Sequence, residues 1–155
     1  MTDKPTYDDA NLILRLYELR REEKLRQARE WFAQQFKPAK TIEELMAQCP
    51  PGSQANSFYR MVTSYWDMAA SFVTTGVLNQ EMLLQSAGEL LFVWTKAKDV
   101  TPHMRKLFAN PKYLANLETV GNAAIARMNE SDPKAYETFV ERVIYGMAAQ
   151  AASKS

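Results

Sequence analysis

An all-α fold is the prediction from this sequence, and three observations carry it. The strong helix formers Leu, Ala, Met, Glu, Gln, Lys and Arg are frequent. Apolar residues recur at three- and four-residue spacing, and no stretch alternates convincingly as a strand does. Capping residues followed by proline, or by glutamate three positions on, mark helix starts along the chain. The expectation is one domain over residues 1–155, a bundle of six to seven helices. A central helical hairpin at about 53–75 and 79–97 organises it, and residues 1–6 and 151–155 are expected to fray.

Residues 7–36 read as one long helix with Thr6 as N-cap and Asp8 and Asp9 in its first turn. Leu14, Tyr17, Leu25, Ala28, Phe32 and Phe36 form its apolar stripe, and Pro38 ends it. Its charged side, from Arg20 to Glu30, is of mixed sign, with Glu22 and Arg26 at a favourable spacing, and reads as a solvated face. Arg21 lies within the stripe. Leu12, Leu16 and Leu19 make a second apolar stripe on the other side, which needs cover from the chain or from a partner. Thr41 to Glu44 is a capping-box pattern that opens a short helix to about Gln48, broken by Pro50, Pro51 and Gly52.

Between Ser53 and Thr95 only Arg60, Asp67, Glu81 and Glu89 are charged, in a chain that is 24% charged, so this stretch should be interior. The first hairpin helix faces one way with Phe58, Met61, Val62, Tyr65, Met68, Ala69 and Phe72, and ends at Gly76. Its other face holds Arg60, Thr63, Ser64, Asp67, Ser71 and Thr74. These small residues would let another helix approach closely. The second hairpin helix, from a cap at Asn79 to about Ala97, is apolar nearly all round and therefore buried. Gly88 in its middle points to a close helix crossing there. Thr101-Pro102, Asn110-Pro111 and Asp132-Pro133 each place a capping residue before proline. They predict helices at about 102–109, 111–129 and 133–150, the last lined by Tyr136, Val140, Val143 and Met147.

Composition excludes several functions. The net charge is +1, which gathers neither nucleic acid nor an acidic partner. The single Cys49 allows no internal disulfide and points to a reducing compartment, so a cytoplasmic location is expected. No apolar run reaches the roughly 20 residues that span a bilayer, and no membrane partner is expected. A di-iron bundle needs paired Glu-x-x-His motifs. The only histidine is His103, with Val100 three residues before it. No metal, no cofactor and no catalytic set is therefore expected. Cys49 has no cationic neighbour in sequence and reads as structural.

A polar set on otherwise buried helices remains: Arg60 and Asp67, Glu89, and Arg21 on the N-terminal helix. Arg60 and Asp67 are seven apart, on one side and two turns apart, able to flank a common third group. An Arg–carboxylate network holding three helices together is the plainer reading, since a buried charge must be paired. The functional one is a pocket for a small polar ligand, with Tyr65, Trp66, Tyr59 and Trp94 as walls. Leu12, Leu16 and Leu19 are the candidate seam of a homodimer.

The runs LILRLYELRREEKLRQAREWF, PGSQANSFYRMVTSYWDMAASFVTTGVLNQEML and GELLFVWTK resemble an uncharacterised bacterial all-helical family, a domain of unknown function. The resemblance covers roughly residues 10–120 and is strongest at SYWDMAASFV with GEL. It implies a bacterial, cytoplasmic, all-α protein and carries no residue roles. The expected function is a non-enzymatic structural or protein-interaction module, a homodimer through the N-terminal helix. The alternative is a small polar-ligand-binding domain.

Overall fold

The computed structural model of the chain describes residues 4–146. Its order is α1 (Tyr7–Arg20), α2 (Glu23–Gln34), α3 (Ile42–Gln48), α4 (Gln54–Thr74), α5 (Gln80–Ser86), α6 (Gly88–Ala97), α7 (Thr101–Leu107), α8 (Ala115–Ser131) and α9 (Ala135–Phe139). A π-helical turn, Val140–Tyr145, continues α9. No strand occurs among the described residues. The all-α prediction holds. Two of the expected helices are each broken once, which raises the count from seven to nine among the described residues.

The first break overturns the single helix at 7–36. Glu22 leaves helical geometry (φ −57°, ψ 140°), and its carboxylate accepts from the backbone N–H groups of Lys24 and Leu25. The residue read as a surface partner of Arg26 is instead the N-cap of α2, where an anion meets the positive helix end. The second break is at Ala87 (φ −111°, ψ 49°), which separates α5 from α6. Gly88 is then the first residue of α6, and a Cβ added there would meet nothing within 4 Å. The crossing expected at Gly88 lies at Gly121 instead, where a Cβ would stand 2.5 Å from Trp94 Cγ. Only glycine lets α8 lie so close to α6.

The core is built on α4, which packs against α2 on one side and α8 on the other, with α6 also against α8. Phe32, Phe36, Tyr59, Val62, Trp66, Leu90, Val93, Leu117 and Val120 are buried in it. The small-residue face of α4 is in part covered, as expected. Thr63 is buried, and Asp67 accepts from Leu117 N–H at 2.9 Å, while Arg60, Ser64 and Thr74 stay exposed. The α4 C-terminus turns through Gly76 at φ +83°, a left-handed conformation that favours glycine.

None of the three proline-marked starts has the capping residue expected of it. Thr101 is not the cap of α7: Val100 is, and Thr101 Oγ1 donates back to the Ala97 carbonyl at 2.7 Å. Residues 111–114 form a turn ending at Leu114 with φ +54°, so α8 begins only at Ala115. The third expected helix starts at Ala135, and its predicted end at 147–150, with Met147, lies outside the described residues, as do the termini 1–3 and 151–155.

Lys96 is a buried cation, absent from the sequence reading. Its Nζ donates to the carbonyls of Phe32 (2.8 Å), Ala33 (3.3 Å) and Phe36 (2.6 Å) and faces the Phe92 ring at 4.7 Å. It closes the C-terminal end of α2, where carbonyls lack helical partners and the dipole favours a positive charge.

A candidate apolar groove at α1

Three tethers set the rotation of α1. At its start, Thr6 and Asp9 form a reciprocal cap, with Thr6 N–H donating to Asp9 Oδ2 at 2.6 Å. The other carboxylate oxygen of Asp9 accepts from Asn79 N–H at 2.9 Å, tying α1 to the α4–α5 turn. These backbone donors, Thr6 foremost, hold Asp9 below its ordinary 3.8. In the middle, the Tyr65 hydroxyl donates to the Leu16 carbonyl. Burial pushes this phenol up to about 12, so it stays a donor. At the end, Arg29 Nη1 donates to the Arg20 carbonyl at 2.9 Å.

That rotation inverts the expected faces of α1. Leu16 is buried in the chain's own core and Leu12 packs against it, so the proposed seam of Leu12, Leu16 and Leu19 loses two members. Leu14 and Tyr17, expected to face inward, are exposed. The cause is the break at Glu22. Extending the α2 stripe through a continuous helix assigned Leu14 and Tyr17 to the core, and the break uncouples the two faces.

On one flank of α1 a groove of about 280 Å³ runs against α4 and α5. Ile13, Leu14, Leu16, Tyr17 and Arg20 line it from α1, Tyr65 and Trp66 from α4, and Leu83, Ser86 and Ala87 from α5 and its end. The Arg20 guanidinium lies 4.9 Å from the Tyr17 ring and 5.8 Å from the Trp66 ring, within cation–π range. None of the four ion pairs among the described residues involves Arg20. The indole N–H of Trp66 is buried without an acceptor among the described residues.

The predicted polar set is not one site. Arg60 is exposed, and its Nε donates to Asn56 Oδ1 beside a shallow cleft with Ser57, Thr63, Ser64 and Tyr113. Asp67 serves the first turn of α8. Glu89 takes Arg29 in a two-point contact at 2.8 and 2.7 Å. Arg21 is exposed over the Tyr17 ring at 5.5 Å. The separation follows from helix geometry: Arg60 and Asp67 share the side of α4 toward α8, whereas Glu89 leaves α6 toward α2. Of the predicted walls, Tyr65 and Trp66 do line a groove. Tyr59 instead packs on Phe36 (5.2 Å between rings), and the Trp94 indole donates to Asn122 Oδ1 at 3.0 Å.

The half-buried Arg29, like the buried Lys96, is a cation that sequence reading missed, and Arg20 is half-buried where a solvated face is expected. Arg29 adjoins Ala28 and sits four residues after Leu25, a position at the edge of the α2 stripe that marks it as partly buried. Hydrogen bonding to Glu89 raises the Arg29 guanidinium above its ordinary value, so it stays charged. Cys49 is buried and its thiol is pushed up to about 11 by that burial, which makes it unreactive at neutral pH. Among the described residues, no three His, Cys, Asp or Glu side chains are placed to hold a metal ion. None of the described helices is long and apolar enough to cross a membrane.

Fold and surface together define an all-helical domain with an apolar, arginine-edged groove on its N-terminal helix. Residues 5–124 match the family model described as Domain of unknown function (DUF4760), and the chain belongs to that family. The match contains every residue of the groove and stops within α8. No curated protein and no solved structure matches the chain.

Proposed function

We propose that this is a non-enzymatic interaction module of the bacterial cytoplasm that self-associates as a homodimer through the outer face of α1. One observation carries the reading: Tyr7, Leu14 and Tyr17 are 83%, 59% and 46% exposed on one side of that helix. At 3.6 residues per turn they fall within about 80° of one another. Exposed aromatic and aliphatic side chains on one helix face are what an interface core is made of. A two-fold axis across such a face uses the same patch twice and closes the assembly. The single cysteine supports a reducing compartment. The proposed seam is thus Tyr7, Leu14 and Tyr17, in place of Leu12, Leu16 and Leu19.

Sedimentation equilibrium tests it. The wild-type chain should show a concentration-dependent dimer, and Leu14→Glu or Tyr7→Glu should weaken it by about tenfold or more, the equivalent of about 1.4 kcal/mol. A wild-type chain that stays monomeric at ~1 mM, where even a weak contact registers, overturns the reading.

A further inference from the structure

The groove on the flank of α1 shares Leu14 and Tyr17 with the exposed stripe, but Tyr7, the most exposed member of that stripe, takes no part in it, and the buried Leu16, Tyr65, Trp66 and Leu83 line it besides. Apolar walls alone name no occupant, but the charge at this one does. Arg20 is half-buried against two aromatic rings and has no carboxylate among the described residues. Its neighbour Arg29 has one, Glu89, in two-point contact. A partly desolvated guanidinium without a counter-anion is a poised donor site for a carboxylate, whose two oxygens accept from its fork. Trp66, which also lines the groove, keeps a buried indole N–H with no acceptor among the described residues. The volume, about 280 Å³, lies just below the ~300 Å³ at which ligand pockets begin, which favours a short or medium chain over a bulky lipid.

We propose that the groove between α1, α4 and α5 binds an aliphatic carboxylate, its chain along Leu16, Trp66 and Leu83 and its carboxylate on Arg20. This site goes beyond self-association; Leu14 and Tyr17 belong to both surfaces, so Tyr7, which lies outside the groove, is the position that separates the two proposals.

The test is a titration of the full chain with decanoate below its micellar range, followed by calorimetry and by the amide and indole signals in NMR. Decanol supplies the chain without charge, decyltrimethylammonium reverses the charge, and acetate lacks the chain. Decanoate should bind once per chain, shift residues of α1, α4 and α5 together with the Trp66 indole, and bind better than all three controls. Arg20→Gln should weaken decanoate by about tenfold while leaving decanol unchanged, and Arg20→Lys should retain part of the preference. Tyr7→Glu should leave decanoate binding as it is, whatever it does to the molecular mass. Equal affinity for decanoate and decanol, an unchanged Arg20→Gln, shifts outside the groove, or no saturable binding each overturns the proposal.

Discussion

Two residues show how much a single position carries. Gly121 admits Trp94 so closely that a methyl group there would lie 2.5 Å from the indole Cγ. Gly121→Ala should therefore cost about 1–3 kcal/mol by overpacking, read as a lower urea midpoint with an unchanged slope. An effect within ~0.5 kcal/mol, the range of ordinary surface changes, would show that α6 and α8 separate freely. Lys96 sets a pH dependence. Burial pushes its ammonium from an ordinary 10.5 down to about 8. Between those values the unfolded chain holds more protons than the folded one, so stability should rise with pH across that window and level off below about 8. Urea midpoints at several pH values would check the slope, and Lys96→Met should flatten it. Neither role is legible in sequence. A glycine within a helix or a lysine near a helix end has many ordinary explanations, and only the facing element selects one.

At the scale of elements, the end of one helix is repeatedly finished by a side chain from another. Asp67 of α4 serves the first turn of α8, whose own N-cap position, Leu114, has no side chain able to accept. Asp67→Ala should cost on the order of 1 kcal/mol, the usual value of a lost cap, and should increase hydrogen exchange at the Leu117 amide above that in the rest of α8. If exchange there stays as slow as in mid-helix, the cap role is wrong. Lys96 does the corresponding work at the α2 C-terminus. Such a long-range cap explains the displaced start of α8. Asn110-Pro111 is a good local signal, yet α8 begins where Asp67 supplies the acceptor. The local cap at Thr6, by contrast, is both written in the sequence and used.

For the whole molecule, the break at Glu22 has the largest consequence. It lets α1 and α2 present unrelated faces to the same core, so Leu16 and Phe32 both go inside while Leu14 and Tyr17 stay out. The proposed dimer would hide that outer face, and dimerisation stabilises the folded state by mass action. The thermal midpoint of the wild type should then rise with protein concentration, and that of Leu14→Glu should not.

The all-α class, the extent of α4 from its Ser53 cap to the turn at Gly76, and the buried face of α4 with Phe58, Val62, Tyr65 and Ala69 came from periodicity and composition, whereas residues 53–95 as a whole are only partly interior, with Arg60, Met68 and Glu81 exposed. Class, extent and face are local properties of the chain and survive any arrangement of its neighbours. The grouping of charges did not. Arg60, Asp67 and Glu89 share a nearly charge-free stretch in sequence, but sequence spacing sets only which side of its own helix each one faces. Which helix stands opposite decided that Glu89 meets Arg29, that Asp67 meets Leu117, and that Arg20 is left at an apolar groove with no carboxylate partner among the described residues.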